Sequence, residues 1–591
     1  MKPSLATVDY LVIAAYLAFS LIVGLVLSRK ASESSENYFL GGRTLPWWLV
    51  GISMVATSFA SDTPIVVTEM IRQYGLQRIW WLFSACIGLS LGVFLFARMW
   101  RRAEITTDAE FYELRYSGRS AAFLRGFKGA WSGVVANLIT MSWVINAMSS
   151  IITTLVDINR WLAIGICVVV ALTYAMFSGF YGVVVTDFVQ FFIAIGSMLY
   201  LAVVAWNRVG GFEAIEAKVA AAPGHGARTL ELFPDLSHFN MDLLALFIFL
   251  VVLWWNDSGG YHMQRMSSCK NEKHATLATL FLAVFQTSRA WLWIGVAIVS
   301  IVLFPDLSHT QFGDTQAYPM VMNAFLGPGM KGLLVTGFLA AFMSTIDTHL
   351  NWGASYVMTD IYRRFVRRDA SERHYIAVTK LVVLMLMVGA SLIAPLFKSV
   401  TSAWELLAMT QAGVGLIAVV RWFWWRISAY TELAVLIGSS VLTLLNAALV
   451  HWWPAATLFG IPWAEARFEL KVAVFISIVI PVSLLVTYLT PPVERERLES
   501  FYRRVRPGGF WGVLDPAIRA LPNRAASARS IADVLGGLML MFGVSLAIGY
   551  ALFHRYELAL AAVVVAVLGA AWTYTWFRRE MGALTSSGGM V

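Results

Sequence analysis

Long apolar stretches recur along almost all of this 591-residue chain, and they restrict its fold more than any other feature. An α-helix needs about 20 consecutive apolar residues to cross the hydrocarbon core of a bilayer. Windows of that length predict about fifteen membrane spans. They lie near residues 8–28, 46–70, 79–100, 129–155, 160–178, 184–206, 241–258, 275–303, 329–357, 376–396, 402–424, 427–451, 470–490, 531–553 and 556–577. The sequence therefore predicts an all-α, polytopic membrane protein.

The composition leads to the same class independently. Hydrophobic residues make up 59% of the chain and charged residues only 13%, which excludes an ordinary soluble domain. The net charge of +9 does not indicate nucleic acid, because the basic residues lie in loops between apolar spans. The three cysteines are an odd number and imply no disulfide framework. The lipid bilayer is thus an expected partner and nucleic acid is not.

The distribution of basic residues predicts the orientation of the chain. Residues 98–128 contain seven Lys or Arg and residues 363–373 contain five arginines, so both segments are cytoplasmic by the positive-inside rule. Residues 305–319 contain two aspartates and no Lys or Arg, as expected on the opposite side. The N-terminus is then outside, and fifteen spans place the C-terminus in the cytoplasm. We expect a multi-pass protein of the cell membrane, plasma or inner.

A polar face inside one apolar span predicts a cation site. The run from Gly332 to Met358 carries Ala341, Ser344 and Thr345 at i, i+3 and i+4, so these three residues share one helical face. They offer a backbone carbonyl and two hydroxyls inside the bilayer. A hard, weakly charged cation such as Na⁺ is satisfied by such neutral oxygens.

A second source of carbonyls is span 46–70, which becomes small and polar between Ala56 and Pro64. Three further motifs follow one another along the chain. They are Asn37-Tyr38-Phe39-Leu40-Gly41-Gly42-Arg43, Thr186-Asp187-Phe188-Val189-Gln190 and Tyr261-His262-Met263-Gln264-Arg265. In these motifs, over roughly residues 38–424, the chain resembles the sodium/solute symporter family, which has a leucine-transporter-like inverted repeat.

The resemblance implies that spans two to eleven are ten core helices, numbered here core helix 1 to core helix 10. They would form two five-helix repeats of opposite topology. Residues 1–45 would hold an extra helix and a cytoplasmic loop, and residues 46–424 the transporter core. Residues 425–591 would add further helices and a basic cytoplasmic linker near 491–530.

Two matching interruptions in this core predict a binding site at mid-membrane. Core helix 1 is expected to break between Ala56 and Thr63, and core helix 6 between Asn256 and Gly260. Paired polar or Gly-rich breaks in the two halves of such a protein point to a ligand site. The alternative is that Asn256 to Gly260 simply end core helix 6 at the cytoplasmic surface.

The resemblance also implies a common sodium site. Its ligands would be the backbone carbonyls of Ala56, Phe59 and Ala341 and the hydroxyls of Ser344 and Thr345. The alternative for the two hydroxyls is ordinary bonding to the carbonyl four residues earlier in the helix.

Some family members bind a second sodium at an aspartate that matches Asp187, together with positions matching Ser344, Asp347 and Thr348. Asp347 stands where hydroxyl residues occur in some relatives. Its carboxylate would either share a cation with Asp187 or pair with an arginine. Asp187 has the further alternative of a helix N-cap.

Substrate contacts are expected among the polar, ionisable and aromatic residues near the two breaks. The candidates are Thr63, Glu69, Trp81, Asn256, Asp257, Tyr261, Arg289 and Gln411. Arg289 is the most unusual because it lies in the middle of an apolar span. We expect it to form a buried ion pair with Asp62, Glu69 or Asp257. The alternative is that its guanidinium faces a substrate carboxylate or sugar hydroxyls.

These features predict a sodium-coupled symporter that imports a small polar organic solute by alternating access. A sugar-like solute is favoured, although Asp62 and Thr63 replace the Glu-Gln pair of sugar-carrying relatives; the alternative is an amino acid or an organic acid. A membrane sensor of the same fold would carry a kinase or receiver domain after the last helix, and only about fourteen residues follow Phe577. No catalytic motif such as His-Glu-x-x-His or a P-loop is present, so an enzyme is not expected.

Overall fold

The computed structural model describes residues 5–31, 39–156, 158–310, 312–397, 399–458, 460–522 and 524–586. Within these ranges, eleven helices are long and apolar enough to cross a membrane, or up to thirteen if each of two bent pairs forms one span. The prediction of an all-helical membrane protein is confirmed, whereas the predicted number of about fifteen spans is not. Asn37 and Tyr38 of the first motif lie outside the described residues.

Helices account for nearly all of the regular structure. The α-helices are Thr7–Ala31, Trp47–Thr57, Asp62–Tyr74, Trp80–Phe83, Ala85–Leu91, Ala97–Ala103, Glu110–Arg115, Gly118–Ala130, Asn137–Leu155, Arg160–Val209, Gly211–Ala220, Met241–Val251, Tyr261–Ser268, Glu272–Ser288, Ala290–Leu303, Ala317–Phe325, Met330–Tyr356, Glu372–Ile393, Val400–Thr410, Val414–Phe423, Ala429–Trp452, Phe468–Leu489, Arg495–Val505, Pro516–Arg519, Ser530–Leu552 and Tyr556–Ser586. Wider π-helical turns occupy Gly92–Phe96, Trp131–Ala136 and Val357–Val366. Two short strands, Thr457–Leu458 and Ile461–Pro462, pair in an antiparallel hairpin.

Core helices 1 and 6 are both interrupted where the sequence predicts a break. Core helix 1 consists of Trp47–Thr57 and Asp62–Tyr74, which meet at an angle of 49°. Core helix 6 ends as an α-helix at Val251 and resumes over Tyr261–Ser268. Gly260 has a φ of +67°, which L side chains rarely adopt, so a glycine is needed there. Because a buried helix follows, Asn256 to Gly260 interrupt core helix 6 and do not terminate it.

Two boundaries differ from the predictions. Core helix 10 is also bent, by 45°, between Val400–Thr410 and Val414–Phe423. A single helix, Arg160–Val209, runs without a break through the region where two spans are predicted at 160–178 and 184–206; its part Gly182–Val209 alone is long and apolar enough to cross a membrane. The intervening sequence contains no proline, so every backbone N–H remains available for helical hydrogen bonds.

The extra N-terminal helix, Thr7–Ala31, is attached to core helix 8, Met330–Tyr356. One carboxylate oxygen of Asp9 accepts hydrogen bonds from the backbone N–H groups of Gly329, at 2.7 Å, and Gly332, at 2.6 Å. The N-terminus of core helix 8 is therefore capped by a different helix. A side chain at Gly332 would collide with the Asp9 backbone, because an added Cβ would lie 2.4 Å from the Asp9 Cα.

The linker predicted near 491–530 packs against the core. Its helix, Arg495–Val505, buries four apolar or aromatic side chains. Arg115 donates to the carbonyls of Trp424 and Trp425 at the end of core helix 10, each at 3.2 Å. The Arg115 guanidinium also lies 4.8 Å from the ring centre of Trp511 in the linker. The linker thus covers the end of core helix 10.

Candidate functional site

A cavity of about 360 Å³ lies between the two interrupted helices. Ser58, Asp62 and Thr63 line it from core helix 1, and Asn256 and Ser258 line it from core helix 6. Core helix 8 also contributes to the wall. Unwound backbone and polar side chains thus meet inside the helical bundle, which is the arrangement expected of a mid-membrane ligand site.

The two hydroxyls predicted to bind sodium face the interruption of core helix 1. The Thr345 Oγ1 donates to the carbonyl of Thr57 at 3.3 Å, and the Ser344 Oγ lies 3.5 Å from the Thr57 Oγ1. The Thr345 hydroxyl is therefore directed across to another helix. Ala56 and Phe59 flank the same turn, where the Phe59 N–H donates to the Ala56 carbonyl at 3.3 Å.

The predicted sodium ligands are thereby brought to one place. Ala56, Phe59, Ala341, Ser344 and Thr345 are all buried, with at most 4% of each residue exposed. Neutral oxygens from two helices, one of them unwound, are suitable ligands for a buried Na⁺.

Arg289 holds the end of the first half of core helix 1 in position. Its Nη1 donates to the carbonyl of Val55 at 2.6 Å, and its Nη2 donates to the carbonyl of Ser58 at 2.7 Å. The same Nη2 also donates to the side-chain oxygen of Gln286 at 2.5 Å. A helix C-terminus leaves carbonyls without partners, and a guanidinium satisfies several of them at once.

The expectation that Arg289 pairs with an acid is wrong, because the three candidate acids have other partners. Asp257 accepts from the Nη2 of Arg421 at 2.7 Å. Glu69 accepts from the hydroxyl of Thr401 at 2.5 Å. Asp62 accepts from the indole N–H of Trp404 at 3.0 Å.

Beside the predicted sodium ligands, Arg265 organises a second polar cluster. Its Nη2 lies 3.6 Å from a carboxylate oxygen of Asp187 and donates to the Thr348 hydroxyl at 2.8 Å. Asp187 also accepts from the Ser53 hydroxyl at 2.5 Å. Asp187 lies well inside the helix Arg160–Val209 and so is not an N-cap.

Asp347 has no partner in the described part of the chain. Both of its carboxylate oxygens are buried and make no hydrogen bond. One carboxylate oxygen of Asp187 is likewise buried and makes no hydrogen bond. Asp347 directly precedes Thr348, and the Thr348 hydroxyl and Asp187 share the guanidinium of Arg265. An ionised buried carboxylate without a partner is costly, so in its charged form Asp347 would attract a cation. Asp347 does not pair with an arginine, which was one of its two expected roles.

The substrate candidates divide into two groups. Thr63, Trp81, Asn256 and Tyr261 line the cavity. The other four, Glu69, Asp257, Arg289 and Gln411, are absent from its lining. Glu69, Asp257 and Arg289 form hydrogen bonds to other side chains or to the backbone. Gln411 lies at the bend of core helix 10.

His349 and Trp404 are among the residues of the cavity wall that sequence reasoning missed. His349 lies one helical turn after Thr345, so the period of core helix 8 was a sufficient signal for it. Trp404 belongs to core helix 10 and carried no signal of its own, because tryptophans are common throughout this chain.

Comparison with known proteins decides the family. The sequence profile of the Sodium:solute symporter family matches residues 38–438. The chain belongs to this family. It is a membrane transporter with Na⁺ as its coupling ion, in agreement with the prediction that it is not an enzyme.

Individual relatives are distant in sequence. A sodium/glucose cotransporter from Vibrio parahaemolyticus is 26% identical over 457 residues, which is 72% of this chain and 82% of the relative. A sodium/mannose cotransporter from Bos taurus is 25% identical over 414 residues, which is 66% of this chain and 68% of the relative. The solved structure of a substrate-bound, outward-open Na⁺-coupled sialic acid symporter aligns with a TM-score of 0.68 at 19% identity, covering 83% of this chain and 99% of that one. This structural likeness shows the fold.

Proposed function

We propose that this symporter imports a small, sugar-like polar solute, and that Na⁺ binds at Ala56, Phe59, Ala341, Ser344 and Thr345. One observation carries the proposal. The turn of core helix 1 that faces the Ser344 and Thr345 hydroxyls also forms part of the cavity wall. A cation and a solute bound there would share one piece of unwound backbone.

This shared backbone explains how the two ligands are coupled. Na⁺ held between core helices 1 and 8 would fix the position of residues 57–63. These residues line the solute cavity, so solute binds more tightly when Na⁺ is present. By thermodynamic linkage, solute must strengthen Na⁺ binding by the same factor. Rocking of one helical repeat against the other would then expose the loaded site to the opposite side of the membrane.

Two observations favour a sugar-like solute over an organic acid. The two relatives from Vibrio parahaemolyticus and Bos taurus are named as sodium/glucose and sodium/mannose cotransporters. The Arg289 guanidinium, which would be the natural partner of a substrate carboxylate, already donates to two backbone carbonyls and to Gln286. The alternative class of solute is an amino acid, which carries both a carboxylate and an amine.

A second cation site at Asp187, Asp347 and Thr348 is a further part of the proposal. The unpartnered carboxylate of Asp347 supports it. Arg265 already compensates part of the charge on Asp187, so Asp347 would carry most of the attraction for a second cation.

The experiment is uptake by the purified protein in proteoliposomes against a panel of labelled sugars, amino acids and organic acids. One Na⁺ that crosses a potential of about 100 mV releases roughly 2.3 kcal/mol, and a tenfold gradient adds about 1.4. Together they support an accumulation on the order of 500-fold. We expect a sugar-like solute to accumulate only when Na⁺ is outside. Equal uptake when K⁺ replaces Na⁺ would contradict the proposal.

A further inference from the structure

Asp62 is a buried acid that no cation of the described chain neutralises. It begins the second half of core helix 1, is 3% exposed and lines the cavity. One carboxylate oxygen accepts from the Trp404 indole, and the other has no hydrogen-bond partner. Asp257 and Glu405, in contrast, are paired with arginines. An ionised carboxylate in such a place is stabilised by a cation or by several donors from a ligand.

Aromatic rings surround this carboxylate within the cavity wall. The lining includes Trp81, Trp143, Trp254, Tyr261 and Trp404. The rings of Trp143 and Trp404 have their centres 6.2 Å apart, and Trp404 donates directly to Asp62. Faces of Trp and Tyr attract organic cations through their negative quadrupole, and this attraction is largest where water is excluded.

Histidines add further polar nitrogen atoms to the wall, and one of them has a defined acceptor. The Asn137 side-chain NH₂ donates to the His349 carbonyl at 2.7 Å, so its oxygen must accept from the His349 Nδ1, 2.6 Å away. The Nε2 of His349 is then an acceptor. The Nε2 of His262 is buried without a partner. Both Nη atoms of the nearby Arg289 donate to backbone carbonyls, and its Nε has no partner.

From this arrangement we propose that the transported solute carries a protonated amine, which forms an ion pair with Asp62 and is enclosed by the surrounding tryptophans. The inference rests on the proposed sodium-coupled symport and specifies its substrate class. A polyhydroxylated amine, such as an amino sugar, meets both requirements of the wall. Its ammonium would pair with Asp62, and a hydroxyl would donate to the acceptor Nε2 of His349.

Matched pairs of ligands test the proposal on the unmodified protein. The pairs are glucosamine with glucose, galactosamine with galactose, and choline with its neutral isostere dimethylbutanol. Binding is measured in Na⁺ as thermal stabilisation of the purified protein. We expect at least one ammonium compound to bind about tenfold or more tightly than its neutral partner, as is typical of a buried charge pair. Equal or better binding of the neutral partners, or stabilisation by none of the ammonium compounds, would overturn the inference.

Variants show whether Asp62 is responsible. Asp62→Asn should abolish the preference for the ammonium member of a pair, whereas Asp62→Glu should retain part of it. Glu405→Gln removes a carboxylate from the same neighbourhood, next to Trp404, and should leave the preference intact. Thermal unfolding without ligand reports whether each variant folds.

The same samples separate this inference from the proposed function. Asp62→Asn should still be stabilised by Na⁺ alone. Loss of that stabilisation would assign Asp62 to Na⁺ and overturn the inference. Na⁺-dependent uptake of neutral solutes only would overturn the inference and leave the symport standing. An unmodified protein that takes up solutes without any Na⁺ requirement would refute the proposed function itself.

Discussion

Arg289 shows what can and cannot be read from a single residue. The sequence marks it as functional, because an arginine in the middle of an apolar span must have partners. Its partners are the carbonyls of Val55 and Ser58, which arise only because core helix 1 stops at that point. The break itself was predicted, but the sequence does not show which side chain satisfies the carbonyls that it releases, so an acid was the natural but incorrect expectation.

A substitution at Arg289 tests this role. Arg289→Ala leaves buried carbonyls without donors, and we expect a loss of about 2–4 kcal/mol of stability. The apparent affinity for Na⁺ should fall as well, because the segment that carries the carbonyls of Ala56 and Phe59 is no longer held. Thermal unfolding and Na⁺ titration measure the two effects. Rescue by a second substitution, Asp62→Asn or Glu69→Gln, would contradict this account and restore the ion-pair interpretation.

Asp347 gives a second test at the level of one residue. If its unpartnered carboxylate binds a second cation, Asp347→Asn should lower the Hill coefficient for Na⁺ from near two towards one. The amide has the same shape but lacks the charge, so packing is retained. Thr336→Ala, on the same helix, is a suitable control because that hydroxyl bonds only to the carbonyl of Gly332. A coefficient near one in the unmodified protein would exclude the second site.

At the level of elements, breaks with several polar or glycine residues were predictable and others were not. The sequence Asn256 to Gly260 is conspicuous in an apolar span, and the helix is interrupted there. The bend of core helix 10 depends on Gly413, which has a φ of +80°, and one glycine among apolar neighbours is a weak signal. The continuous helix Arg160–Val209 shows that a boundary suggested by composition need not interrupt the helical backbone.

The cap between the N-terminal helix and core helix 8 leads to a prediction at the same level. Asp9→Ala removes the acceptor for two backbone N–H groups and the negative charge at a helix N-terminus. We expect a cost of about 1–2 kcal/mol. Asp9→Asn keeps one acceptor oxygen and should cost less. Thermal unfolding of both variants gives the comparison, and equal stability of Asp9→Ala and the unmodified protein would show that the N-terminal helix is not needed to cap core helix 8.

The whole molecule was predictable in class and less so in detail. Hydropathy identified a polytopic helical protein, because satisfaction of backbone groups in lipid leaves few other choices. The number of spans was not predictable, since two spans can merge into one helix and one span can be divided by a bend. The linker near 491–530 was recognised as basic, but its packing against Arg115 depends on tertiary contacts that composition does not show.

The orientation of the chain is a prediction at this scale. The three native cysteines are buried, so they give little background in thiol labelling. His309→Cys, in the exposed loop after core helix 7, should react with an impermeant maleimide added to intact cells. Arg497→Cys, in the exposed part of the linker, should react only after the membrane is opened. The reverse pattern would show that the positive-inside assignment is inverted.

The central claim is that Ser344 and Thr345 bind the coupling ion, and Na⁺-induced thermal stabilisation of the purified protein without solute tests it most directly. A ligand that binds only the folded state stabilises it by about 2.7 kcal/mol at about 100 times its dissociation constant. We predict that Na⁺, but not K⁺, raises the unfolding temperature. The double variant Ser344→Ala/Thr345→Ala should lose most of this response while it still folds, and any remaining response would come from the second site at Asp187 and Asp347. Thr336→Ala/Ser355→Ala, in which the lost hydroxyls bond only within core helix 8, should retain it. An undiminished response to Na⁺ in the first double variant would contradict the account.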